Sequence, residues 1–203
     1  SALERARTLG RFLPPQVVRA IVEEGQAVEV QQERRRLTLF RIELRGFEAV
    51  LRSAAPEDMA VMLNSYLSAM IGIAFAAGAT IDRFVRDELV GFFGAPAGGT
   101  PEQDALACAT LARAMWARAW EVCGQWRGLL AVTPPAPTMV LNSGYATVGN
   151  FGSVERLEYT AVGGAADEAR DLLRALGPGV LACSQATWGL IAGLCVDLLS
   201  GSP

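Results

Sequence analysis

Apolar and polar positions alternate in period two over "RLTLFRIEL" (36–44), which predicts a strand. Leu37, Leu39, Arg41 and Glu43 lie on one face of it, and Thr38, Phe40, Ile42 and Leu44 on the other. The period changes at Pro56. Met59, Met62, Leu63, Tyr66, Leu67, Met70, Ile73 and Ala74 recur at i, i+3, i+4, the stripe of a core-seeking helix. Two short apolar runs over 79–94 read as a hairpin enclosing Arg86, Asp87 and Glu88 at its turn. Thr100, Pro101 and Gln103 open a helix running to about Cys123. "TPPAP" (133–137) reads as a turn and 138–153 as two strands meeting at Ser143-Gly144. A further strand follows at 156–163, then a helix from about 164 to 176 that Gly177-Pro178-Gly179 stops, and a last strand-helix-strand. Strands and helices mixed in this way predict an α+β sheet covered by helices rather than a regular βαβ repeat.

Ahead of this body, residues 1–30 read as a helical lead-in. Pro14 and Pro15 stand at its start, Val17, Val18, Ile21 and Val22 form its stripe, and Gly25 ends it. The polar segment 26–36, closing in Arg34, Arg35 and Arg36, reads as a linker boundary, which leaves 31–203 as the main domain. The chain starts at Ser, which suggests a fragment cut from a longer protein.

Composition narrows the chemistry. The 203 residues are 51% hydrophobic and 19% charged, which argues for a packed core. A net charge of −3 gives no basic face for nucleic acid. The longest apolar run, Ala69 to Ala79, is too short to cross a bilayer, so no membrane segment is expected. Cys108, Cys123, Cys183 and Cys195 are scattered with apolar flanks, as buried reduced thiols of a cytoplasmic protein would be. The chain has no His, and its 18 basic residues are all Arg. Imidazole-based triads, dyads and zinc sites are therefore excluded. Carboxylates, arginines, hydroxyls and backbone remain, a set suited to metal-assisted phosphoryl chemistry.

Four stretches, in order, resemble the class III adenylate/guanylate cyclase catalytic domain, and the likeness covers about residues 30–200. "LFRIELRGF" (39–47) resembles its first metal strand, "DRFVRDELVGFFGAP" (82–96) its second metal hairpin, and "LNSGYATVGNFGS" (141–153) its glycine-rich hairpin. "RLEYTAVGGAADEARDLL" (156–173) resembles its last motif. The resemblance implies a ferredoxin-like nucleotide cyclase fold with a central, mainly antiparallel sheet. It also implies a head-to-tail dimer, either with itself or with another cyclase domain, and shared sites that take ATP or GTP.

Carried over residue by residue, the resemblance places Glu43 and Asp87 as ligands of Mg2+ or Mn2+. Glu43 stands where the family has Asp, an added methylene that moves the carboxylate by roughly 1 Å. Glu88 replaces a family Gly. The backbone amides of Leu44, Arg45, Gly46 and Phe47 would cradle phosphates, with Arg156 as a further phosphate contact. Arg83, at the position of a base-reading Lys, and Thr160 would meet the purine. Asp167 replaces the Asn that positions ribose, and Asp171 falls where an Arg stabilises the transferring phosphate. Arg170 is the adjacent substitute, although one helical position turns it by about 100°. A negative charge about 5 Å from a phosphate opposes it by on the order of 3 kcal/mol at an effective dielectric of about 20. Three readings follow: a degenerate, dimeric, nucleotide-binding regulatory module; the metal-bearing half of a heterodimer; or a cyclase active by itself.

Overall fold

A computed structural model describes residues 32–128, 132–153 and 156–193. The lead-in and the linker segment up to residue 31 lie outside these residues, as do Cys195 and the last expected strand.

The chain runs β1 (Glu33–Arg45), α1 (Phe47–Ser53), α2 (Pro56–Ala76), β2 (Thr80–Val85), β3 (Glu88–Phe93) and α3 (Pro101–Gln125). It continues through β4 (Ala136–Ser153), β5 (Arg156–Val162), α4 (Ala165–Ala175), β6 (Leu181–Cys183) and α5 (Gln185–Ile191). The strands form one six-stranded sheet with the path β2-β3-β1-β4-β5, and β6 lies beside β4. All pairings are antiparallel except β4 with β6. The order β4-β1-β3-β2 with helical crossovers is the ferredoxin-like arrangement, and the α+β expectation holds.

β1 is central, so both of its faces are covered. Phe40, Ile42 and Leu44 join the larger cluster, with Met62, Tyr66 and Met70 of α2 and Cys108, Leu111 and Met115 of α3. Leu37 and Leu39 face the other way, onto Ala165 and Ala169 of α4. Alternation in β1 thus assigns its residues to two different helical layers. The expected start of α3 is present: Thr100 accepts from the Gln103 N–H, and the Gln103 side chain accepts from the Thr100 N–H.

Three local readings change. Arg34, Arg35 and Arg36 are not a linker; they extend β1, opposite Thr147, Ala146 and Tyr145 of β4. Residues 138–153 do not turn at Ser143-Gly144, because β1 pairs continuously across that point, Thr38 with Ser143 and Leu37 with Gly144. Gly144 serves close approach instead: a Cβ there would stand 3.0 Å from the Cβ of Ala165. The short helix α1, which no periodicity announces, follows a left-handed turn at Gly46.

α2 has 21 residues, and an 18-residue window of it reaches a mean hydropathy of 1.6, long and apolar enough to cross a membrane by length and composition alone and longer than the run counted from sequence. Core helices pass the same test, and here Met62, Tyr66, Leu67, Met70 and Ala74 pack into the protein.

Candidate functional site

Past Leu39 the same face of β1 turns from apolar to charged, presenting Arg41, Glu43 and Arg45. The Arg41 guanidinium grips Glu88 of β3, with Nε donating to Oε1 at 2.8 Å and Nη2 at 2.6 Å from the same oxygen. This is a diagonal cross-strand pair, since Arg41 stands opposite Val90. Arg45 Nε lies 2.6 Å from Glu43 Oε1, but off the line of a hydrogen bond, so the contact is purely ionic. Arg45 Nη2 also donates to the Leu173 carbonyl in the last turn of α4 at 2.8 Å. Gly46, at φ 92°, then swings the chain into α1, which brings the Leu44–Phe47 backbone to the strand end.

The β2–β3 hairpin closes on two residues, Arg86 and Asp87, because Val85 already pairs with Glu88. The positive φ that a family glycine would ease is therefore at Arg86 (54°), and Glu88 is an ordinary strand residue. Asp87 Oδ2 accepts the Leu44 N–H at 3.0 Å, which commits one of the four amides expected to cradle phosphate. Burial raises the Asp87 carboxyl above its usual range, against the opposing pull of the Leu44 and Asp87 amides and Arg86. Burial likewise raises Glu43, with Arg45 opposing and the charges of Glu88 and Asp87 adding to the rise.

Glu43 and Asp87 are thus brought together as a pair of half-buried, mutually repelling carboxylates. Among the described residues no group of three or more potential ligands closes on one point. A pair still fits the donor chemistry of Mg2+ or Mn2+, ions that take one or two carboxylates and complete their shell with water and phosphate oxygens. Beneath the pair is a residue sequence reading assigned to the core alone. The Tyr66 hydroxyl is fully buried, has no hydrogen-bond partner among the described residues, and is held far above its usual pKa by burial and by the charge of Asp87.

The base-reading candidates also meet. Arg83 Nη2 stands 3.5 Å from Thr160 Oγ1 and 3.4 Å from Asp82 Oδ2. Asp82, passed over at sequence level, is the third member. Its side chain is 3% exposed, and its carboxylate is bonded to Thr160 and to the Ala161 backbone. Burial raises its pKa, while Thr160, Arg83 and Ala161 oppose the rise. The one sequence signal was an acid among apolar residues on a strand.

On α4, Asp167, Arg170, Asp171 and Arg174 share the outer surface. Arg170 Nη1 lies 2.8 Å from Asp167 Oδ1, and Arg170 Nε is 3.6 Å from Asp171 Oδ1, with Arg174 3.8 Å from that oxygen. The candidate substitute cation is thus already occupied by acids on its own helix. Arg156 opens β5, and its side chain lies outside the described residues.

No family profile matches the chain. It is similar to the adenylyl cyclase CyaB from P. aeruginosa, at 34% identity and TM-score 0.78, over 81% of this chain and 84% of that one. It is also similar to the guanylyl cyclase Cya2, at 30% identity and TM-score 0.72, over 78% and 79%. Adenylate cyclase 1 of Rhizobium meliloti (strain 1021) is 26% identical over 100% of this chain, which spans only 30% of that protein's length.

Proposed function

The chain belongs to the class III adenylyl/guanylyl cyclase catalytic-domain family, and we propose that within it the domain is a catalytically degenerate, dimeric, nucleotide-binding regulatory module of a longer signalling protein. One observation carries this reading. By the family resemblance Asp167 and Asp171 would fall where ribose and the transferring phosphate are contacted, and Arg170, the nearest cation, is ion-paired to Asp167 at 2.8 Å. Cyclisation develops negative charge at the α-phosphate, so the site needs positive charge there. Two carboxylates on that helix face supply the opposite.

What remains supports binding. Glu43 and Asp87 would hold Mg2+ or Mn2+, whose charge neutralises the triphosphate. The Arg45–Phe47 backbone would meet phosphate oxygens, and Arg83 with Thr160 would meet the base. A head-to-tail homodimer would place Asp167 and Asp171 in both sites, leaving neither complete.

The test is cyclic-nucleotide formation by the purified chain with ATP or GTP and excess Mn2+, read by mass spectrometry over a protein concentration series. The expected result is nucleotide binding without product. Robust turnover that disappears in Asp87→Ala would establish an active enzyme and sink the degenerate reading.

The retained Glu43 and Asp87 pair favours a second reading, the metal-bearing half of a heterodimer. Turnover that appears only when a second cyclase domain bearing the missing Asn and Arg is added would select it.

A further inference from the structure

Asp82 is the extra residue of a β-bulge. The β2–β3 register pairs Ile81 with Gly91 and then Arg83 with Val90, leaving Asp82 without a partner on β3. A bulge re-aims a side chain out of the ladder, and here it sends a carboxylate across to β5, at the far end of the sheet path. There it receives the Thr160 hydroxyl and the Ala161 N–H, with Arg83 Nη2 at 3.4 Å.

The donor count at this corner is decisive. An ionised carboxylate only accepts, and a Thr hydroxyl has a single proton. The Thr160 proton is therefore spent on Asp82, and the Thr160 oxygen can offer other partners only its lone pairs. Arg83, whose side chain is 49% exposed, offers only donors. The corner thus presents a donor beside an acceptor of fixed polarity.

We propose that Asp82 is a positioning residue for base selection: by holding the Thr160 hydroxyl as an acceptor next to the Arg83 donor, it makes this corner take the 6-amino edge of adenine over the 6-oxo edge of guanine. Adenine offers a ring-nitrogen acceptor beside an amino donor. Guanine in the same pose sets its N1–H against Arg83 and its O6 against the Thr160 lone pairs. The inference rests on the nucleotide-binding reading above and adds to it which purine is taken and what fixes the choice.

The test measures binding of α,β-methylene ATP and α,β-methylene GTP to the full chain by calorimetry with Mn2+, for wild type, Asp82→Asn, Thr160→Val and the double variant. In Asp82→Asn the Ala161 N–H keeps the amide oxygen, so the amide NH2 donates to Thr160 and the Thr160 proton turns outward. Wild type should favour the ATP analogue by about tenfold or more, the usual scale for one mismatched buried hydrogen bond. Each single variant should lose most of that ratio, and the double variant should lose no more than either alone. Thr160→Val decides the question if Asp82→Asn fails to fold. A purely structural role would lower melting temperature and weaken both analogues alike with the ratio intact, and that result overturns the proposal. A wild-type preference for the GTP analogue overturns it too, while leaving nucleotide binding standing. Wild type binding neither analogue sinks the nucleotide reading, and this assignment with it.

Discussion

Asp87 Oδ2 accepts the Leu44 N–H at 3.0 Å, fastening the β2–β3 hairpin tip to the end of β1. The two charged residues resembling metal ligands, Glu43 and Asp87, sit on elements joined by this bond, so their separation is built in before any ion arrives. Asp87→Ala should cost about 1–2 kcal/mol in urea unfolding, because it strands the Leu44 amide. Asp87→Asn keeps an acceptor and should recover about half of that loss, while both variants lose Mn2+ binding by calorimetry. Equal stability of the two would show that the bond contributes nothing.

Tyr66 places a hydroxyl without a partner among the described residues under the same carboxylates. Removing an unsatisfied buried polar group relieves its desolvation cost. Tyr66→Phe should therefore leave unfolding free energy unchanged or raise it by up to about 2 kcal/mol. A loss above about 1 kcal/mol would reveal a hydrogen bond formed in solution.

Close approach demands glycine at Gly164 and Gly91, among other positions. A Cβ at Gly164, where φ is 47°, would run into the Tyr145 carbonyl, and one at Gly91 would stand 2.5 Å from the Phe40 ring and 2.7 Å from the Thr80 carbonyl. Backbone cannot yield as a flexible side chain does. Ala at either position should cost about 2 kcal/mol or more, whereas Gly72→Ala, in open space on α2, should gain up to about 1 kcal/mol. Chemical denaturation of the three variants gives the order.

Glu43, Asp82 and Asp87 all have carboxyl groups raised by burial. An acid held above its unfolded value binds its proton more tightly in the fold. Its effect is most favourable when protonated and is lost as pH rises from about 4 through the folded value. Without divalent metal, these three groups should make the urea midpoint decline from mildly acidic pH toward neutrality, and Glu43→Gln should flatten the decline. Added Mn2+ should reverse it, by favouring the ionised pair. A midpoint that rises steadily over that range, unaltered by Glu43→Gln, would contradict the raised values.

On α4 the charges are exposed, with Asp167 at 52% and Asp171 at 67%, so their ion pairs with Arg170 and Arg174 add little stability. Asp167→Asn combined with Asp171→Arg should leave melting almost unchanged. It should tighten triphosphate binding by about three- to tenfold, solvent screening having cut the full Coulomb estimate. Unchanged affinity would place this helix face away from the nucleotide.

Much of the candidate site was legible, because its signals are local. An acid at a hairpin tip, a Gly-Phe after a strand and an Arg-Phe before a turn are read within a few residues. The family resemblance that those stretches carry, rather than the local pattern, singles out Glu43, Arg83 and the replacements at Asp167 and Asp171, while Asp87 stands out by itself as the acid of a hairpin tip. Tyr66 and Asp82 were missed. Tyr66 has the helical spacing of any core residue, and its meaning comes from carboxylates on β1 and β3. Asp82 acquires its role from a one-residue slip in strand pairing, which leaves no local mark in sequence.

By itself the sequence determined the central strand, the long core helices, the capped start of α3 and the α+β class, since alternation, helical spacing and capping are short-range consequences of backbone geometry. Only the tertiary structure decided that 138–153 runs straight, that Arg34 to Arg36 are strand, that Asp87 takes the Leu44 amide and that Asp82 reaches Thr160. Each of these depends on which distant residue supplies the partner. A glycine bends a lone chain, but beside β1 the unbroken ladder and the approach of Ala165 hold Gly144 in line.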